Sequence, residues 1–218
     1  MSNATCRRGA PKFHRQTAAA RRDLLIEATL RCLEAHGHEG SSIRRISARA
    51  GVSSGLISHH FHSKAALIAA AYDRLATRLQ ESLQRRVDED NTSPRERLSG
   101  FFRASFEPDS LDPALFKVWL VFWGMIMHSP EMRAVHDSAY RRYRSILEKL
   151  LAQIARDNGA RLRLRTAAIA LSALLDGLWI ELSLSPANFK PAEAIALCED
   201  WVDALCGAET PHLLRKTK

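Results

Sequence analysis

The chain has 218 residues, 46% of them hydrophobic, and a formal charge of +8 at pH 7. That is enough apolar surface for one large domain, or for a small domain joined to a larger one, and it excludes a disordered polar chain. The longest apolar run, Leu115 to Met127, contains Lys117 and is too short for a bilayer, which needs about 20 apolar residues.

The charge is uneven. Residues 1–64 hold eleven Lys/Arg against four acids, while the remaining 154 residues are nearly balanced. An excess confined to one end points to a polyanion partner there, because neutralised phosphates release counterions. Cys6, Cys32, Cys198 and Cys206 include no C-x-x-C pair, and no secretory apolar stretch follows the start. A reduced, cytoplasmic setting is therefore expected.

Apolar residues recur at helical spacing almost throughout, which predicts an all-α chain. Residues 1–20 lack periodicity and carry Arg7, Arg8, Lys12 and Arg15, and are expected to form a flexible basic arm. Helix 1 is predicted from about Arg21 to His36, with Gly37 as its natural stop. Ser41 or Ser42 can cap a second helix in which Ile43, Ile46 and Ala50 face inward, with Gly51 ending it. Ser53 is placed to cap a third, with Ile57 and Phe61 as its buried i, i+4 pair. Ser63 caps a long fourth helix reaching about Val87. Two short helices joined by Ala50-Gly51-Val52-Ser53 form a helix-turn-helix, whose second helix enters the major groove.

With Ile57 and Phe61 inward, the opposite face of the third helix presents Ser54, Gly55, Ser58, His59 and His60 without an acid. Glycine there costs up to about 1 kcal/mol of helix propensity but lets the backbone approach DNA. The hydroxyls and imidazoles suit phosphates or base edges, and Leu56 suits a thymine methyl. His59 and His62 at i, i+3 have too few neighbouring ligands for zinc, and Ser58 beside His59 points elsewhere for nucleophilic catalysis. No metal, cofactor or catalytic residue is expected. A rival reading, a helical enzyme acting on nucleic acid, lacks clustered carboxylates or Cys/His ligands near the basic end.

The stretch "TLRCLEAHGHEGSSIRRISARAGVSSGLISHHFHSKAAL" resembles the N-terminal domain of the TetR family of repressors, a three-helix DNA-binding head followed by a helical ligand-binding and dimerising body. "GLISHHF", "FKVWLVFWGMIMHSPEM" and "LSALLDGLWIELSLS" are similar to BetI-type repressors, which control choline to glycine betaine genes. The resemblance covers most of residues 22–206. Where the general family pattern has Tyr, this chain has Ser58. The resemblance implies a base or phosphate reader at Arg44 and a phosphate grip by Lys64 at a helix N-terminus. The expected DNA-facing set is Ser42, Arg44, Ser53, Ser54, Gly55, Leu56, Ser58, His59, His60 and Lys64. It also implies a head over 21–66, a body over 67–208 and a tail over 209–218, with operator DNA, a homodimer and a small effector, choline or betaine aldehyde, as partners.

Pro, Asn and Ser clusters divide the body into helices near 94–106, 112–128, 131–157, 161–185 and 191–206. The last two carry apolar stripes, and the resemblance makes Leu171, Leu175, Asp176, Leu178, Leu182, Cys198, Trp201, Val202 and Leu205 candidates for the dimer interface; an intramolecular core is the other reading. Trp119 and Trp123 share a helix face with Phe116 and Met127 nearby. Such a stripe is commonly core, but with Trp179 it also suits a quaternary ammonium ligand. Asp176 fits either the balancing of a ligand cation or packing and dimerisation, and packing is the expectation.

Overall fold

The computed structural model describes residues 17–88 and 93–206, so the sequence expectations for the arm before Thr17 and for the tail lie outside the described residues. Within them the chain forms nine α-helices: α1 (Ala18–Gly40), α2 (Ile43–Ala50), α3 (Gly55–Phe61), α4 (Lys64–Val87), α5 (Pro94–Ser105), α6 (Pro113–Ile126), α7 (Pro130–Asp157), α8 (Leu164–Leu184) and α9 (Pro191–Cys206). Three of them start with a capping residue followed by proline. Ser93, Asp112 and Ser129 accept hydrogen bonds from the amides of Glu96, Ala114 and Met132, and the prolines after them need no amide partner. Glu96 also bonds back to the Ser93 amide, completing a capping box.

Helix α1 begins at Ala18, capped by Thr17, three residues before the predicted start. At Gly37 the backbone takes φ 63° and ψ −169°, which kinks the helix before a last turn to Gly40. Ser41 is fully buried and donates to the Gly37 carbonyl at 2.6 Å, leaving Ser42 as the cap of α2. Ser53 does not cap α3. The N-cap position belongs to Ser54, whose hydroxyl lies 2.9 Å from that of Ser47 on α2 and makes no cap bond. Helix α8 starts three residues later than predicted, because Arg163 at its N-cap offers no side-chain acceptor.

Two hydrophobic clusters organise the chain. The first joins Leu25, Leu33, Ile46, Ile57 and Phe61 of the head to Leu67, Ile68 and Tyr72 of α4 and to Trp119, Phe122 and Met132 of the body. The second is built from Leu83 and Val87 at the far end of α4 with α5, α7, α8 and α9. Helix α4 runs unbroken from one to the other. Ion pairs hold its flanks, Arg74 to Asp23 and Arg78 to Glu27 on α1, and Asp73 to Arg142 on α7. Partly exposed pairs like these contribute about 1 kcal/mol or less each.

The Gly37 conformation lies in a region nearly closed to other residues, and a Cβ there would touch nothing within 4 Å. Gly37→Ala should therefore destabilise the protein through backbone strain alone, by about 1–3 kcal/mol. Urea unfolding of the variant against wild type checks this, and an unchanged midpoint contradicts it.

Candidate functional site

The head presents one basic surface. Between Ser41 and Lys64 there is no acid, and Arg44, Arg45 and Arg49 are exposed along α2. Arg45 also donates to the Gly40 carbonyl, which ties it to the end of α1. Gly51 turns the chain in the left-handed conformation, φ 67° and ψ 32°, and its amide bonds back to Ala48. On α3, Gly55, Ser58 and His59 are exposed, as is Ser53 before it.

Five of the expected DNA-facing residues have other engagements. Ser42 caps α2 through a 3.2 Å bond from the Arg45 amide, and Ser54 is tied to Ser47, although both remain exposed. Leu56 is half-buried against the head cluster rather than free for a thymine methyl, because it neighbours Ile57 at the start of a seven-residue helix. His60 follows Ile57 at i+3 and so turns partly inward. Its ring meets Phe61, its Nε2 is buried without a hydrogen-bond partner, and its carbonyl accepts from Arg22 of α1 at 3.1 Å. Desolvation, then His59, Arg21 and Arg22, push its pKa down. Lys64, at the first turn of α4, donates to the His38 carbonyl at 3.2 Å. The sequence reading did not single out Arg45 and Arg49, which stand i, i+4 on α2 and are exposed beside Arg44.

The second feature is a cavity of about 90 Å³ in the body, several times the space one water needs. Trp119, Trp123 and Trp179 line it. All three tyrosines of the chain, Tyr72, Tyr140 and Tyr143, also line it, with Asp176, Gln80, Ser105 and Ser110. Among the described residues, no Lys, Arg or His is in its wall. Phe116 is buried behind the wall, edge-on to Trp179 at 5.2 Å. Met127 is not a pocket residue: α6 ends at Ile126, and Met127, its C-cap, is 71% exposed.

Most polar groups of the wall are already satisfied. The Trp179 indole N–H donates to the Ser110 carbonyl at 2.7 Å, Gln80 donates to the Ala139 carbonyl at 2.8 Å, and the Ser105 and Ser110 hydroxyls donate to backbone carbonyls. Asp176 is the charged exception. It accepts from the Tyr140 hydroxyl at 3.0 Å, and burial raises its pKa to about 6, against the lowering pull of Tyr140 and Arg144. Arg144 lies over the Tyr140 ring at 5.2 Å and donates to Ser172. Burial, with Asp176 nearby, also raises the phenol pKa values of all three tyrosines, so they stay neutral. Asp176 thus faces the cavity, a placement the packing expectation for it did not include. The tyrosines were missed because they come from α4 and α7, far apart in sequence from the tryptophan stripe.

The expected dimer stripe divides differently. Leu171, Leu175, Leu182, Cys198, Val202 and Leu205 are buried inside the protomer, in the cluster shared with α5 and α7. Leu178 and Trp201 are only partly buried against it. Leu184 and Leu197 are 62% and 51% exposed. Helix α8 is long and apolar enough to cross a membrane, but it packs on α7 and α9 as part of this core. The cysteines Cys32, Cys198 and Cys206 are buried free thiols, and Cys6 lies outside the described residues. Among the described residues, no three His, Cys, Asp or Glu side chains gather as metal ligands.

Comparison with known proteins agrees on both halves. Residues 25–71 match the model of the bacterial regulatory proteins of the tetR family, and residues 94–207 match that of the BetI-type transcriptional repressor, C-terminal. The chain is 35% identical over 192 residues to the HTH-type transcriptional regulator BetI of Serratia proteamaculans, covering 88% of this chain and 95% of that protein. A transcriptional regulator from Pseudomonas aeruginosa PAO1 superposes with TM-score 0.84 at 45% identity, over 92% of this chain and 97% of the other. A regulator from Saccharomonospora viridis, crystallised with choline, shares the fold at TM-score 0.68 and 22% identity, over 91% of this chain and all of the other. With a helix-turn-helix head matching one model and a body matching the other, the chain belongs to the TetR family of DNA-binding transcriptional regulators and is of the BetI type.

Proposed function

We propose that the protein is a homodimeric repressor that releases its operator when a small organic monocation enters the body cavity. The observation that carries this reading is Asp176: a buried carboxylate among Trp119, Trp123, Trp179 and Tyr140, with no cationic side chain in the cavity wall. Aromatic faces attract a cation by about 0.5–2 kcal/mol per ring, and the carboxylate supplies the opposite charge at low dielectric. The BetI-type relatives and their link to choline metabolism make choline and betaine aldehyde the first candidates. The dimer is proposed to form through the uncovered apolar face of α8 and α9, where Leu184 and Leu197 are exposed, since two half-sites one helical turn apart require two heads.

Release requires that the cation favour one arrangement of the heads over the other, because equal affinity for both shifts nothing. The cavity lies where the two hydrophobic clusters meet, with Leu79 and Trp179 packed against both. A ligand there acts on the junction between head and body.

Three outcomes are expected. Arg44→Ala should cost about 1–3 kcal/mol of operator binding and relax preference at one base position, whereas Lys64→Ala should weaken all duplexes alike and lower the salt slope by about one. Gly55→Ala should leave the fold as stable or up to about 1 kcal/mol more so, since its Cβ meets nothing in the free protein, yet weaken operator binding where the backbone abuts DNA. Titrations against point-mutated duplexes over a salt series read all three; sequence-blind losses for Arg44→Ala would reduce it to a phosphate contact.

Leu197→Glu should shift the sedimentation equilibrium toward monomer without unfolding the chain. A dimer of unchanged stability would move the interface elsewhere.

Asp176→Asn should abolish most cation binding, by about thirtyfold or more if the lost charge contact is worth about 2 kcal/mol. Its effect on stability has the opposite sign. A carboxyl whose folded pKa is raised to about 6 from 3.8 binds more protons folded than unfolded, so its unfavourable contribution is complete above pH 6 and fades as pH falls toward 4. The variant should therefore be more stable than wild type at pH 7, by up to about 3 kcal/mol, and the gap should close in acid. Calorimetric titration with choline, with betaine aldehyde and with a neutral isostere, beside melts at several pH values, checks both; equal binding of the isostere would favour a sensor of other lipophilic compounds.

A further inference from the structure

One line of contacts joins the cavity to the head cluster. Asp176 accepts from Tyr140, and the Tyr140 ring lies 4.3 Å from that of His136, one helical turn earlier on α7. The Nδ1 of His136 is 2.8 Å from the hydroxyl of Tyr72 on α4, and the two rings are nearly parallel. Tyr72 is fully buried and packs on Trp119 and Phe122, at 5.3 and 4.9 Å, inside the cluster that contains Ile57 and Phe61 of the head. Tyr72 lines the cavity, while His136 stands outside it.

Neither partner of this bond is charged at neutral pH. Burial lowers the His136 pKa, with Asp137 opposing and Arg144 and Arg133 adding to the effect, and burial raises that of Tyr72. Both are neutral at pH 7, so a single proton is shared between the Tyr72 hydroxyl and Nδ1, and the His136 tautomer sets which of the two donates.

We propose that His136 is a positioning residue of the effector response: through its hydrogen bond with Tyr72 it holds the cavity-facing ring of α4 against the Asp176–Tyr140 pair, so that occupation of the cavity and packing of the head are coupled through this bond. His136 touches neither DNA nor ligand. Its removal leaves both binding surfaces in place and uncouples them.

The ligand side of this inference rests on the effector reading, but the coupling is testable without any effector. Coupling between two sites is reciprocal, so binding of DNA at the head must be felt at the cavity. Trp119, Trp123 and Trp179 supply the reporter, since they line the cavity. The full chain is titrated with a duplex selected by the wild-type protein from a randomised pool, and tryptophan emission is followed. Wild type should show an emission change on binding. His136→Phe keeps a ring but no acceptor and should reduce that change about fivefold or more, with the duplex Kd altered less than about threefold. His136→Asn restores an acceptor near Nδ1 and should recover the change. Tyr72→Phe, which removes only the hydroxyl oxygen, should reproduce His136→Phe and carries the test if His136→Phe fails to fold.

An emission change that survives in both Phe variants overturns the proposal. So does a wild type that shows none, or a response lost in His136→Asn and kept in His136→Phe, which would assign the effect to ring contact. Choline added without DNA reads the effector assignment separately. A protein indifferent to choline whose DNA-induced change still depends on His136 keeps the coupling and loses the choline reading.

Discussion

Helix α4 is buried at its two ends in two different cores, and the rest of the molecule depends on that shared burial. Its first half contributes Leu67, Ile68 and Tyr72 to the cluster that holds the head, and its second half contributes Leu83 and Val87 to the cluster of α5, α7, α8 and α9. A helix of 24 residues is about 36 Å long and stiff on the scale of side-chain packing. Any shift at one end is carried to the other, because close-packed interiors switch between arrangements rather than deform smoothly. The ion pairs from Asp73, Arg74 and Arg78 to both neighbours brace it in register. They are solvent-accessible and weak individually.

The cavity lies against the middle of this helix, lined by Tyr72, Ala76, Leu79, Gln80 and Leu83. Its wall takes residues from α4, α6, α7 and α8, so a ligand touches members of both clusters at once. The wall is also expensive to maintain. A buried carboxylate without a cationic partner in the cavity opposes folding at neutral pH. The tyrosine hydroxyl and the nearby arginine only partly offset it. The proposal of a cation site rests on Asp176 more than on the aromatic surface around it for that reason.

The sequence made the helices legible because their starts are written in local chemistry: Ser42, Ser63, Ser93, Asp112 and Ser129 each cap where a hydroxyl or carboxylate precedes an apolar period. Adjacent serines defeated the same rule at α3, where Ser54 rather than Ser53 takes the cap position and spends its hydroxyl on Ser47. Periodicity named Trp119 and Trp123 as one face but could not say that the helix stops one residue before Met127. Nor could it say what covers an apolar stripe. Leu171 and Leu175 face their own protomer, and the surface left over is the opposite side of the helix, around Leu184. The three tyrosines and Asp176 converge only through tertiary packing of α4, α7 and α8, and no local pattern reports that.

The hydrogen bond from Lys64 to the His38 carbonyl bears on how the head meets its operator. A free lysine carries about 2 kcal/mol of rotamer entropy, which a contact to DNA would otherwise have to overcome. Here the side chain is already held by the kinked end of α1, beside the first turn of α4, and an ammonium group has two further protons to offer. The same backbone turn that only glycine can make at Gly37 delivers that carbonyl. The ammonium group is thereby fixed in place before any partner arrives, and its position depends on the hairpin between α1 and α2 as much as on the lysine itself.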